Sequence, residues 1–169
     1  MGSVNRPAIN IEIYRVDNGH KAAVWNIFRK YHYLNTDLHP AATQYVGVYD
    51  GRLVCHTGII QMPMKKGRRR VHRLVVLPDY QGCGVGTAFI TEVAKIEESN
   101  GYEVNLTTTT PAIANALKRR SDWVLVRCGR AENAYKGYNR YKDSNEAAHL
   151  VKSASGNRFT YSFWHKRGC

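Results

Sequence analysis

Gln81-Gly82-Cys83-Gly84-Val85-Gly86 is the stretch that decides the fold, because of what stands on either side of it. Before it runs an apolar, β-branched segment, Leu74-Val75-Val76-Leu77, ended by Pro78. After it, Val85, Ala88, Phe89, Val93 and Ile96 recur at helical steps, with Thr91, Glu92, Lys95 and Glu98 between them. Strand, glycine turn and helix together form a phosphate-binding arrangement. Glycines let the main chain approach an anion, and the free N–H groups of the new helix point at it. Two common versions of such a turn do not fit. A P-loop ends in Gly-Lys-Ser/Thr, which is missing here. A dinucleotide-binding turn needs an acidic residue at the end of the next strand; that strand, Tyr102 to Leu106, instead runs into Thr107-Thr108-Thr109-Thr110. A different pyrophosphate ligand is expected.

The longer run His72-Arg73-Leu74-Val75-Val76-Leu77-Pro78-Asp79-Tyr80-Gln81-Gly82-Cys83-Gly84-Val85-Gly86 resembles the central motif of the GCN5-related N-acetyltransferases, the GNAT superfamily. That motif reads apolar-x-V-x-P-x-x-[QR]-[GQ]-x-G-x-[GA], and every fixed position is matched. The resemblance covers roughly residues 9 to 129 in element order. It implies an α/β (α+β) GNAT fold: a mixed, mostly antiparallel sheet of about seven strands flanked by helices, splayed between the motif strand and the next. It also implies acetyl-CoA as cosubstrate, with the pyrophosphate held by Gln81, Gly82, Cys83, Gly84, Val85, Gly86 and Thr87. Pantetheine would run along Leu74, Val75 and Val76, and a main-chain N–H near Val76 would bind the thioester oxygen.

Length and composition bound the rest. A chain of 169 residues, 43% hydrophobic, is expected to form a single domain (1–169) with a proper core. It has no run of apolar residues long enough for a membrane span and opens on no secretory leader, so a cytoplasmic protein without a membrane partner is expected. The four cysteines, Cys55, Cys83, Cys128 and Cys169, are scattered and read as reduced thiols. The seven histidines show no ligand spacing, so no metal site is expected. With 25 Lys+Arg against 13 Asp+Glu, the net charge is +12. Basic runs at Lys65-Lys66-Gly67-Arg68-Arg69-Arg70 and Lys118-Arg119-Arg120 suit a polyanion, and equally suit a solvated surface.

Along the chain, Ile9, Ile11 and Ile13 alternate as a first strand, and Asp17-Asn18 is placed to cap a helix carrying Trp25 and Phe28. Gln44 to Tyr49, Asp50-Gly51 and Arg52 to Gln61 read as a hairpin. Lys65 to Arg70 would be the tip of a second hairpin leading into the strand Val71 to Leu77. Pro111 opens a short helix, Trp123 to Arg127 forms a strand, and Arg158 to Trp164 a closing strand. The polar segment 130–157 reads as an insertion. Its Tyr135, Tyr138 and Tyr141 interleave with Lys136, Arg140 and Lys142, a pattern that stacks on bases or lines a helix face.

Acetyl transfer to an amine needs a base for the amine, a donor for the thioester oxygen and a proton for the departing thiolate. His72 is the candidate base: it occupies the position of a catalytic histidine in the arylalkylamine N-acetyltransferase branch. Uninterrupted alternation would put it on the face of Leu74 and Val76; its structural reading is a strand-end histidine beside Arg70 and Arg73. His32 and Tyr33 are candidates for shaping the acceptor pocket. Many family members carry a tyrosine acid five residues before the sixth strand; here that position is Lys118, which leaves Tyr33, Tyr80 and the tyrosines of 130–157 as substitutes. The His32-Tyr33 pair also resembles phage Mom-type DNA-modification proteins. Residues 31–130 resemble acetyltransferase-like domains associated with ABC-type ATPases. The expected activity is direct acetyl transfer to an amine. The alternatives are nucleic-acid modification (a DNA base or an aminoacyl-tRNA) and a silent acyl-CoA or nucleic-acid binding module. Partners carried forward are acetyl-CoA, an amine-bearing acceptor, nucleic acid (DNA or tRNA) and a second copy in a homodimer.

Overall fold

The computed structural model describes residues 10–32, 37–63, 66–130 and 159–168. Seven strands form one open mixed sheet in the order β1-β2-β3-β4-β5-β7-β6. They are β1 (Glu12–Arg15), β2 (Thr43–Tyr49), β3 (Arg52–Gln61), β4 (Arg68–Val76), β5 (Glu103–Thr108), β6 (Trp123–Arg130) and β7 (Phe159–His165). Three helices join them: α1 (Lys21–Arg29), α2 (Val85–Ser99) and α3 (Pro111–Lys118). All neighbouring strands are antiparallel except β4 and β5. Tyr33, the insertion expected at 130–157 and its tyrosines fall outside the described residues, apart from Arg130 at the end of β6.

Strand alternation sorts the apolar side chains onto two faces. Tyr45 and Leu74 pack with Phe89, Ile90, Val93, Leu106, Leu117 and Phe163, so α2 and α3 cover one face. Their sequence neighbours Val46 and Val75 pack with Trp25 and Phe28, so α1 covers the other. The β2–β3 hairpin turns at Asp50 (φ 50°) and Gly51 (φ 67°), both left-handed, as a two-residue hairpin matched to strand twist requires.

Several sequence expectations move. The first helix does not begin on a cap at Asp17: a 3-10 turn, Asn18–His20, precedes α1, and Asp17 makes no side-chain cap bond. β4 starts at Arg68, so Arg68, Arg69 and Arg70 are inside the strand and not at a hairpin tip. Their cations are also engaged. Arg68 Nε bonds Glu103 at 2.6 Å, and Arg69 Nη1 bonds the fully buried Glu97 at 2.6 Å while its guanidinium lies 3.6 Å from the Tyr102 ring centre. Glu97 also accepts the Tyr45 hydroxyl at 2.9 Å. This buried network staples the end of α2 to β2 and β4. Cys55, Cys83 and Cys128 are free thiols. Among the described residues no helix is long and apolar enough to cross a membrane.

Candidate active site

The glycine turn has the geometry an anion needs. Gly82 (φ 81°) and Gly84 (φ 86°) are left-handed, and Gly84 is the N-cap of α2. Only glycine adopts that region without a steric cost of about 1–2 kcal/mol. A Cβ added at either position would meet nothing within 4 Å, so the outer face of the turn is open to a ligand. Gly86 has a different reason: its Cβ would stand 3.0 Å from Val76 Cγ2, so a larger residue would lever α2 away from β4. The first bond within α2 runs from the Ala88 N–H to the Gly84 carbonyl at 3.0 Å. That leaves the N–H groups of Val85, Gly86 and Thr87 to outside partners. No side chain caps them; the Thr87 hydroxyl donates to the Gly84 carbonyl instead.

Beside this turn the sheet parts. β4 and β5 pair only from Arg68–Glu103 to Arg70–Asn105, and beyond that each strand leaves the other. The Leu77 N–H is given to Val54 on β3, at 2.9 Å. Main-chain groups alternate along a strand, so those of Leu74 and Val76 face the opposite way, into the gap. The Val76 carbonyl there accepts the Gln81 side-chain amide at 2.8 Å, which ties the turn to the wall of the gap. The Val76 N–H lies on the same edge. A groove with main-chain donors along one wall and uncapped helical N–H groups at its mouth fits a nucleotide-bearing thioester; Leu74, Val76 and residues 81–87 are brought together there.

His72 sits where the β3–β4 ladder slips. Gly58 pairs with Arg73 and Ile59 with Val71, so His72 is an extra residue, a β-bulge. The expectation that it shares a face with Leu74 and Val76 is therefore corrected. Those two pack toward α2, while the His72 ring lies 6.3 Å, edge-on, from His39, whose loop borders α1. Burial, then Arg73, Arg70, His39 and His32, push its pKa down to about 4, so at neutral pH the imidazole is uncharged and its lone pair is free to take a proton. His32 joins the same neighbourhood, its ring 6.1 Å from Trp25.

Lys118 ends α3 with its ammonium 4.8 Å from the centre of the Tyr161 ring. Tyr161 pairs with Thr108, on the part of β5 that has already left β4. The sequence reading passed over Tyr161; the available signal was its place in the closing alternation. Tyr80, a candidate substitute acid, packs edge-on against Tyr49 at 6.1 Å and belongs to the margin of the α2 core. Among the described residues no cluster of His, Cys, Asp and Glu could hold a metal.

A mixed sheet split beside a glycine-turned helix N-terminus defines an acyltransferase fold that grips its donor by the diphosphate. Residues 10–118 match the acetyltransferase (GNAT) family. The chain belongs to that family, and with it to the acyltransferases that use acetyl-CoA as cosubstrate. No curated protein matches it in sequence. Among solved structures, it is similar to the ribosomal-protein-S18-alanine N-acetyltransferase from Escherichia coli, with TM-score 0.61 and 14% identity over 92% of this chain and 93% of that one. The IAA acetyltransferase from Bacillus cereus aligns with TM-score 0.61 and 8% identity, over 92% of this chain and 99% of that one. A spermidine N-acetyltransferase chimera from Vibrio cholerae and hSSAT gives TM-score 0.61 and 10% identity, over 92% and 94%. At such identities these likenesses speak for the fold.

Proposed function

We propose that this chain transfers the acetyl group of acetyl-CoA directly to a primary amine. The observation that carries the reading is the parting of β4 from β5 beside the uncapped start of α2. The N–H groups of residues 85–87 and the open faces of Gly82 and Gly84 hold the diphosphate. Leu74 to Val76 guide the pantetheine arm through the gap.

In the transfer, the amine nitrogen bonds the thioester carbon as it gives up a proton, and the C–S bond then breaks. The Val76 N–H faces the gap and receives the oxygen on which negative charge develops. His72, uncharged at neutral pH, takes the proton from the amine directly or through a water. Tyr161 gives a proton to the departing sulfur, and the Lys118 ammonium beside it supplies countercharge in place of the tyrosine common in the family. His32, beside Trp25, shapes the acceptor side, and we assign Tyr33 the same task from its neighbouring position. The whole chain acts as one catalytic domain, with the segment after β6 as an insertion. The pairing of Arg68 and Arg69 with glutamates argues against a polyanion track along β4.

The test is twofold: calorimetry with acetyl-CoA, then CoA release on addition of primary amines. Binding in the micromolar range with amine-dependent release is expected, about −8 kcal/mol for a micromolar dissociation constant. Failure to bind acetyl-CoA would end the proposal. Binding without turnover on any amine would leave an acyl-CoA binding module.

A further inference from the structure

On the α1 face, separate from the acetyl-CoA groove, a cavity of about 260 Å³ lies between α1 and the loop before β2. Lys21, Trp25, Asn26, His39 and Gln44 are among its walls. Three features make it polar in one sense, that of hydrogen-bond donors. First, the Trp25 indole N–H is buried and has no partner among the described residues. An unsatisfied buried donor is costly, about 1–3 kcal/mol, and asks for an acceptor atom. Second, Gln44 is only 4% exposed, and its Oε1 is already taken by His56 Nε2 at 2.9 Å. His56 is clamped in turn between Phe28, 5.3 Å away, and Trp25, 5.4 Å away. With its oxygen engaged, the Gln44 carboxamide has its NH₂ left to offer. Third, Lys21 adds an ammonium, whereas the carboxylate nearby, Asp37, is exposed and paired with Arg29 at 3.5 Å.

The cavity is also within reach of the reacting centre. His39 lines it and touches the His72 ring edge-on. Gln44 pairs with Gly58 and Gly58 with Arg73, so the donor cluster lies two strand spacings, about 9–10 Å, from the His72–Arg73 bulge.

We infer that this cavity holds the far end of the acceptor, and that the acceptor is a linear primary amine whose nitrogen is separated by roughly a pentamethylene chain from a carboxyl oxygen, an arrangement matched to the strand spacing. The inference rests on the proposed amine acetylation and adds the class of amine. The nitrogen sits at His72, the methylene chain passes His39, and the oxygen accepts from Trp25, Gln44 and Lys21. A free ω-amino acid presents a carboxylate there; a lysine side chain in a peptide presents its own main-chain carbonyl.

The test compares ε-aminocaproate, its carboxamide and hexylamine, three amines of similar length that differ at the far end. With acetyl-CoA, kcat/KM for ε-aminocaproate should exceed that for hexylamine by roughly tenfold or more, the worth of one charge-assisted hydrogen bond. The carboxamide decides between the two sources: parity with the carboxylate indicates a main-chain carbonyl, and a poorer rate indicates a free carboxylate. Lys21→Ala, at a partly exposed helix position, and Gln44→Leu should each erode the preference. A readout without turnover runs alongside: the Trp25 indole N–H resonance, assigned by its loss in Trp25→Phe, should move on titration with ε-aminocaproate and stay in place with hexylamine. Equal kcat/KM for ε-aminocaproate and hexylamine, or an indole signal indifferent to both, would overturn the inference. A moving indole signal with no acetylation of any amine would uphold the cavity and refute the transfer reading instead.

Discussion

His56 should make the protein acid-labile in a way that a single substitution removes. The residue is fully buried, and burial, with a smaller contribution from His32, lowers its pKa from 6.5 to about 3. The sign follows from proton counting. Between those two values the unfolded chain holds a proton on His56 and the folded chain does not, so acid favours unfolding. The contribution is fully present above about pH 6.5 and is lost as pH falls toward 3. At 1.36 kcal/mol per pH unit the whole gap amounts to about 4–5 kcal/mol, a large share of a typical stability of roughly 5–15 kcal/mol. The assay is urea unfolding at a series of pH values for the native chain and for His56→Gln. At pH 7 the variant should be the weaker of the two by about 1–3 kcal/mol, through poorer packing on Phe28 and a disturbed bond to Gln44. Near pH 4 that gap should shrink or reverse, because the variant has no imidazole to protonate. Taking the difference between the two curves cancels the carboxylates and His72, which they share. Parallel curves from pH 7 to pH 4 would refute the reasoning.

Four further outcomes follow from the same geometry. Gly84→Ala, at φ 86°, should weaken acetyl-CoA binding by roughly tenfold, since a strain of about 1–2 kcal/mol falls on the turn that holds the anion; unchanged calorimetric affinity would contradict this. His72→Ala should lower kcat about 10²-fold or more while leaving acetyl-CoA affinity intact, and the native rate should show no His72-dependent loss until pH falls toward about 4. Tyr161→Phe should lower kcat with little effect on either substrate's binding, and a normal rate would remove it from the mechanism. Arg69→Leu should cost about 3–5 kcal/mol by stranding the buried Glu97 carboxylate, and Arg69→Leu with Glu97→Gln should recover much of that in urea unfolding.

The glycine turn, the strand before it and the helix after it were legible because each obeys a local rule: left-handed φ at glycine, β-branched residues in a strand, apolar repeats at helical steps. The Asp50-Gly51 turn was legible for the same reason. The gap between β4 and β5 followed from family resemblance alone, since no local pattern records where two strands stop pairing. Arg68 to Arg70 misled because a run of cations looks like solvent-exposed loop. Their partners Glu103 and Glu97 are distant in the chain, and only the fold brings them together. His72 was placed on the wrong face because period-two reasoning assumes an unbroken pleat. The donor-lined cavity left no sequence signal: Lys21, Trp25 and Gln44 come from two elements and read individually as helix and strand residues.

The bulge at His72 also makes β4 intolerant of deletion. Every residue from Arg73 to Val76 owes its orientation to the one supernumerary residue before it. Excising His72 would restore a regular ladder and rotate the rest of the strand by half a turn. Leu74 and Val76 would then be thrust toward α1 and Val75 toward α2, and the amide we assign to the oxyanion would be handed to β3. Loss of one codon here would thus turn the acetyl-CoA wall inside out, a far larger lesion than any substitution at the same position.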